Sequence, residues 1–135
     1  MNKGFIEEVT KLSGGLTDEE RMLLAEMKPA VEKHADALID AFYRNLEQNA
    51  RTREILHAEP GRVARLKDHL RRWLVSLVSG SYDTDYFDRR YRIGYRHVDV
   101  GLDPRYVIAA MAWCRAKAVE MIIEPAYGDA PDKDA

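Results

Sequence analysis

Apolar residues recur at spacings of three and four along almost the whole chain and do not alternate over the length of a strand, which predicts an all-α protein. A short amphipathic helix is expected from about Lys3 to Leu12, closed by Ser13-Gly-Gly15. Thr17-Asp-Glu-Glu20 then opens the next helix with the spacing of a capping box. From Pro29 to about Asn49 the residues Val31, Ala35, Leu38, Ile39, Phe42 and Leu46 define one buried face, with Tyr43 on its edge. A connecting helix is predicted over Thr52 to His57, and Pro60 is expected at the first position of a long helix that stops at Gly80. Its stripe is Val63, Leu66, Leu70, Trp73, Leu74 and Leu77, and His69 falls on that apolar side. The next helix starts near Asp83, carries its arginines late, as the helix dipole favours, and stops at Gly101.

Asp103 followed by Pro104 starts the last predicted helix, which runs to about Glu124. One seam of it reads Val107, Ala110, Met111, Cys114, Ala118, Met121 and Ile122. A second reads Tyr106, Ala109, Trp113 and Ala116, which predicts contacts on two sides. The expected organisation is one domain over residues 1–124, with residues 1–15 as an N-terminal extension helix and 125–135 as a linker or disordered tail.

Composition narrows the class. A chain of 135 residues is long enough for one core and short for two. With 46% hydrophobic and 33% charged residues and a net charge of −2, it reads as a soluble globular protein with no call on nucleic acid or an anionic membrane. No apolar run reaches membrane-spanning length, and Glu7 and Glu8 break any signal-peptide pattern, so the cytoplasm is the expected compartment. Cys114 is the single cysteine, so it has no partner within the chain for a disulfide or a thiolate metal site. There is no Gly-rich phosphate loop, nucleophile elbow or telling carboxylate pair, and catalysis therefore has little support.

Three polar residues stand out against this background. His97 lies one turn before the Gly101 and Asp103-Pro104 break. A histidine there can present one ring nitrogen to a flat metal cofactor between helices, or it can satisfy the last carbonyls of its own helix. Tyr43 and His69 lie on otherwise apolar stripes, where a buried polar group needs a partner. For Tyr43 the simpler account is a core tyrosine whose hydroxyl reaches water; for His69, a ring turned to the rim. His34 and His57 sit in polar company and read as surface residues, and Arg71 and Arg72 read as a solvated helix face.

Taken together, three segments resemble the sensor globins, the haem domains of globin-coupled sensors, and their relatives the protoglobins. Ala41-Phe-Tyr-Arg44 is similar to the family's distal tyrosine segment, and Leu66-Lys-Asp-His-Leu-Arg-Arg-Trp73 to its distal helix. Arg92-Ile-Gly-Tyr-Arg-His97 with Val98-Asp-Val-Gly-Leu102 is similar to its proximal helix and turn. The resemblance spans roughly Thr17 to Glu124. It implies a globin fold of the sensor-globin type, apparently without the family's final helix, and non-covalent haem b, since no Cys-x-x-Cys-His motif is present.

By position, the resemblance makes His97 the proximal iron ligand and Tyr43 the hydrogen-bond donor above the iron. Leu66 would cover the distal face. Phe42, Leu70, Trp73, Ile93, Gly94, Leu102 and Met111 would complete the haem pocket. His69 departs from the small or hydroxyl residue that relatives often carry there. Its imidazole would either donate to bound gas or bind iron directly as a distal ligand. The implied function is reversible binding of dioxygen, or of CO or NO, in the service of a signalling output module on a longer chain. A homodimer through the last helix is implied as well, with Tyr106 and Trp113 as contact candidates. Two other classes stay open: a haem-free globin-like interaction module, and a small haem enzyme acting on nitric oxide, nitrite or peroxide.

Overall fold

The computed structural model describes residues 3–128. Among them the regular elements are all helical: α1 (Lys3–Ser13), α2 (Asp18–Glu26), α3 (Lys28–Leu46), α4 (Ala50–Leu56), α5 (Arg62–Ser76), α6 (Thr84–Asp99), α7 (Pro104–Ala118), a π-helical segment (Val119–Ile123) and α8 (Glu124–Tyr127). No helix among the described residues is long and apolar enough to cross a membrane.

The starts of these helices are written in the sequence as side-chain caps. The Thr17 hydroxyl accepts from the Glu20 amide at 3.1 Å while the Glu20 carboxylate accepts from the Thr17 amide at 2.9 Å, closing the predicted capping box. Asn49, Asp83 and Asp103 cap α4, α6 and α7 through their side-chain oxygens. Each such cap satisfies amides that lack an intrahelical partner and contributes about 1 kcal/mol. The start of α5 differs from expectation. It lies at Arg62 rather than Pro60, because Gly61 at φ +73° turns the chain just before it.

Helix α3 is the centre of the molecule. It buries Val31, Ala35, Leu38, Ile39, Phe42 and Tyr43, and packs against α5 on one side and against α7 and the π-helical segment on the other. Leu56, Leu74, Val78, Cys114 and Ile122 complete the core. The π turn adds a residue to the repeat and so rotates the face of the helix that follows. Ile122, inside that turn, is one of the two largest fully buried side chains.

The end of the chain corrects two expectations. The helix continues through α8 to Tyr127, so the tail expected from residue 125 starts as helix; residues 129–135 lie outside the described part. Trp113, a candidate for a subunit contact, faces inward with its ring edge-on to Phe42 at 5.9 Å, and Tyr106 is half-buried. The exposed large apolar side chains of this rod are Ile108, Met111 and Val119, with Tyr127 at its end.

Helix α6 stands apart. Its main packing partner is the N-terminal helix α1. Grooves of about 180 and 320 Å³ flank Phe87 on this side, one lined by Phe5, Ile6, Val9 and Tyr91, the other by Leu16, Arg21, Tyr82 and Tyr86 among others. Neither groove is lined by Tyr43, His69 or His97.

Candidate functional site

The end of α6 explains why a histidine, a glycine four residues later and a leucine occur in that order. The Leu102 amide donates to the His97 carbonyl at 3.0 Å, and the Gly101 amide donates to the Val98 carbonyl at 2.9 Å. With Gly101 at φ +68°, this is a Schellman motif, in which the left-handed residue must be one without a Cβ penalty. His97 is the third residue from the end of the helix, so its backbone is tied by the turn while its ring is left to other uses. That ring is half-buried and makes no hydrogen bond to another described residue.

A second tie fixes where α6 lies relative to α5. The Arg90 guanidinium donates to the Ser76 Oγ at 2.8 Å and to the Tyr86 carbonyl at 3.1 Å, and its central carbon lies 3.3 Å from the centre of the Tyr86 ring. Ser76 is the last residue of α5. His97 lies seven residues after Arg90, and His69 seven before Ser76. Seven residues are close to two full turns, about 10 Å of helix, so each histidine shares a face with the residue that makes the tie. The faces of α5 and α6 that meet through Arg90 and Ser76 therefore carry one histidine each.

The structure divides the predicted site residues into two groups. Phe42, Tyr43, Leu66, Leu70 and Trp73 belong to the packed core or rest directly on it. Tyr43 is 7% exposed, its ring edge-on to Phe42 at 5.3 Å, and its hydroxyl has no hydrogen-bond partner among the described residues. Burial pushes its pKa up to about 12, so the phenol keeps its proton at any physiological pH. The other group stands outside the core. Ile93 and Gly94 are exposed on α6, Leu102 is half-buried in the turn, and Met111 is 37% exposed rather than part of the buried seam of α7.

His69 also departs from the expected buried stripe. It is exposed, on the flank of α5 that carries Trp73 and Ser76. Lys67 and Arg71 occupy the opposite flank, where they pair with Asp40 and Asp36 of α3 at 3.0 and 2.9 Å. The phase of the helix is the physical reason: α5 turns its Leu70 and Leu74 edge to α3, which swings position 69 toward α6. His34 is half-buried rather than a surface residue. His57 is exposed and meets Glu47 at 2.6 Å. Sequence reasoning missed Arg90 and Ser76, which look like any polar pair near helix ends. The only signal was Arg90 sharing the face of Ile93 and His97.

A small all-α domain with α3 at its centre and a histidine tied to a Schellman turn at the end of α6 has the architecture of a sensor-type globin domain. Comparison with known proteins agrees: residues 10–135 match the Protoglobin family, and the chain belongs to it. It is similar to the "Heme-based aerotactic transducer HemAT" of Halobacterium salinarum, with 36% identity over 96 residues, 71% of this chain and 20% of the transducer. The chain thus spans about a fifth of that relative's length. Among solved structures it is similar to the globin domain of the Geobacter sulfurreducens globin-coupled sensor. The TM-score is 0.81 at 33% identity, covering 95% of this chain and 80% of that one.

The residues present fit a flat iron porphyrin. A Cβ built on Gly94 would meet nothing within 4 Å, so no neighbouring helix requires a glycine there and the space one turn before His97 is open. The His97 ring makes no hydrogen bond to another described residue, and one turn earlier on the same face of α6 stands the apolar Ile93. Among the described residues no group of three or more His, Cys, Asp or Glu forms a metal site of another kind.

Proposed function

We propose that this domain is a haem-based gas sensor. It would bind dioxygen, or another diatomic gas such as CO or NO, at the iron of non-covalent haem b held by His97. The observation that carries the reading is a pair of polar groups left free for a ligand: a ring at the turn-anchored end of α6, and a phenol on α3 whose ring is buried while its unbonded hydroxyl still reaches solvent. The bound haem supplies reversible gas binding at iron; the remaining chemistry belongs to the chain. His97 would hold the iron, with its backbone fixed by Gly101 and Leu102. Tyr43 offers a proton donor that burial keeps protonated, and a hydrogen bond from it is worth on the order of 1 kcal/mol net, more toward a group with negative character. Leu66 and Trp73 limit water at the distal wall. His69, on α5, would serve as a second iron ligand or as a further donor.

As a sensor, the domain would report through an output module on a longer chain and would itself catalyse nothing, in keeping with the transducer and sensor it resembles. A homodimer through the last helical rod, with Ile108, Met111 and Val119 among its exposed large apolar side chains, and a cytoplasmic location complete the proposal. The deciding experiment is the visible absorption spectrum of the haem-supplied protein in ferric, ferrous and dioxygen-exposed forms. Wild type is expected to give an intense Soret band that His97→Ala loses. A band of equal strength in His97→Ala would refute the assignment. A low-spin six-coordinate ferrous spectrum that becomes high-spin in His69→Ala would place His69 on the iron.

A further inference from the structure

We propose that Arg90 is a positioning residue that sets the opening between α5 and α6, and with it the separation of His69 from His97. Among the described residues its bond to Ser76 is the one side-chain hydrogen bond between those two helices. Its partners are all uncharged: the Ser76 hydroxyl, the Tyr86 carbonyl and the face of the Tyr86 ring. No carboxylate pairs with it, so its position is fixed by directional contacts, and a half-buried guanidinium with five donors in a rigid fork suits such a role.

The platform beneath it is built for rigidity. Tyr86 is buried, edge-on to Tyr82 at 4.9 Å and to Phe87 at 5.3 Å. The Tyr82 hydroxyl donates to the Leu77 carbonyl at 2.5 Å, just past the end of α5. Ser76 is held in turn by donating to the Trp73 carbonyl at 2.6 Å. Two aromatic residues and one cation thus fasten the first turns of α6 to the last turn of α5, where Phe87 and Tyr91 also face Phe5, Ile6 and Val9 of α1, while Ile93, Tyr95 and Val98 further along α6 are exposed. Because His97 lies about 10 Å further along, a rotation of roughly 10° at Arg90 moves its ring by about 2 Å. That is as long as a bond from imidazole nitrogen to a metal, so a small rotation at Arg90 shifts His97 by a full metal–ligand bond length.

The cleft opening is measured without haem, so the test is independent of the gas-sensor reading; only the coordination readout rests on it. Nitroxide labels on Ala64→Cys in α5 and Arg96→Cys in α6, both exposed, in a Cys114→Ala background, report the α5 to α6 distance by pulsed electron paramagnetic resonance. Arg90→Met is expected to broaden the distribution and lengthen it by about 2 Å or more, given the lever arm of two helical turns. Arg90→Lys keeps a cation over Tyr86 and is expected to recover part of the wild-type distribution. Ser76→Ala, which leaves α6 untouched, serves if Arg90→Met does not fold. A distribution unchanged in both Arg90→Met and Ser76→Ala overturns the proposal. In the haem-loaded protein the ratio of low-spin to high-spin spectra should change in the same order, with Lys between Met and wild type. A haem that fails to bind would sink the sensor reading and leave the distance result to decide the role of Arg90.

Discussion

Helices α3 and α6 are of similar length, 19 and 16 residues, and both are amphipathic, yet they play opposite parts. The apolar face of α3 is consumed by α5, α7 and the π-helical segment, with Ala35 and Leu38 at or below 1% exposure. The apolar side chains of α6 are spent mostly outside the core: Tyr91, Ile93, Tyr95 and Val98 are all exposed. A helix that leaves much of its hydrophobic face exposed is held by a few contacts and by whatever else binds it. The contrast separates residues that make the fold from residues that make the site.

Breaking the comparison at its strong end gives the largest effect. Leu38→Ala is expected to cost about 2–5 kcal/mol in unfolding free energy by denaturant titration, since nothing around it can collapse to fill the space. Ile93→Ala on α6 should change the haem-free protein by no more than about 0.5 kcal/mol. If the two costs are similar, α6 is core and the division fails.

Tyr43 sharpens the contrast through pH. Its folded pKa is raised to about 12 from an ordinary value of 10, so the unfolded chain releases the proton first. Stability is therefore full below pH 10 and falls as pH rises from 10 through 12, by the sign of the linkage. Tyr43→Phe should flatten that decline, measured as denaturation midpoints against pH. An equally steep decline in the variant would show that other groups carry it.

Smaller still is the effect of the turn. Gly101→Ala places a Cβ on a residue at φ +68° and should cost on the order of 1 kcal/mol. In the haem-loaded protein it should also speed haem loss, followed by transfer to an apoglobin scavenger, because the His97 carbonyl would lose its fixed partner. An unchanged transfer rate would mean that the turn does not position His97. The ion pair between Lys67 and Asp40 closes the series. Both side chains are well exposed, so Lys67→Ala should shift stability by less than about 1 kcal/mol.

Much of this was legible in the chain. The capping residues Thr17, Asp83 and Asp103, the buried face of α3 and the histidine-to-glycine spacing at the end of α6 all follow from local rules of helix chemistry, which act within a few residues. Those rules do not reach across helices. They placed His69 among buried residues because periodicity reports a face without saying which neighbour takes it. They set Trp113 on an outer seam because they cannot see Phe42, and they gave Arg90 no role because Ser76 lies fourteen residues away.

What the sequence by itself determined is the set of helices, their punctuation and the turn that presents His97, since hydrogen bonds of caps and turns close within four or five residues. Only the tertiary structure decided which stripes become core, that the Tyr43 ring is buried, and that Arg90 ties α6 to Ser76 at the end of α5. Those outcomes depend on which surfaces exclude water from one another, and that is settled by how the helices pack as a whole.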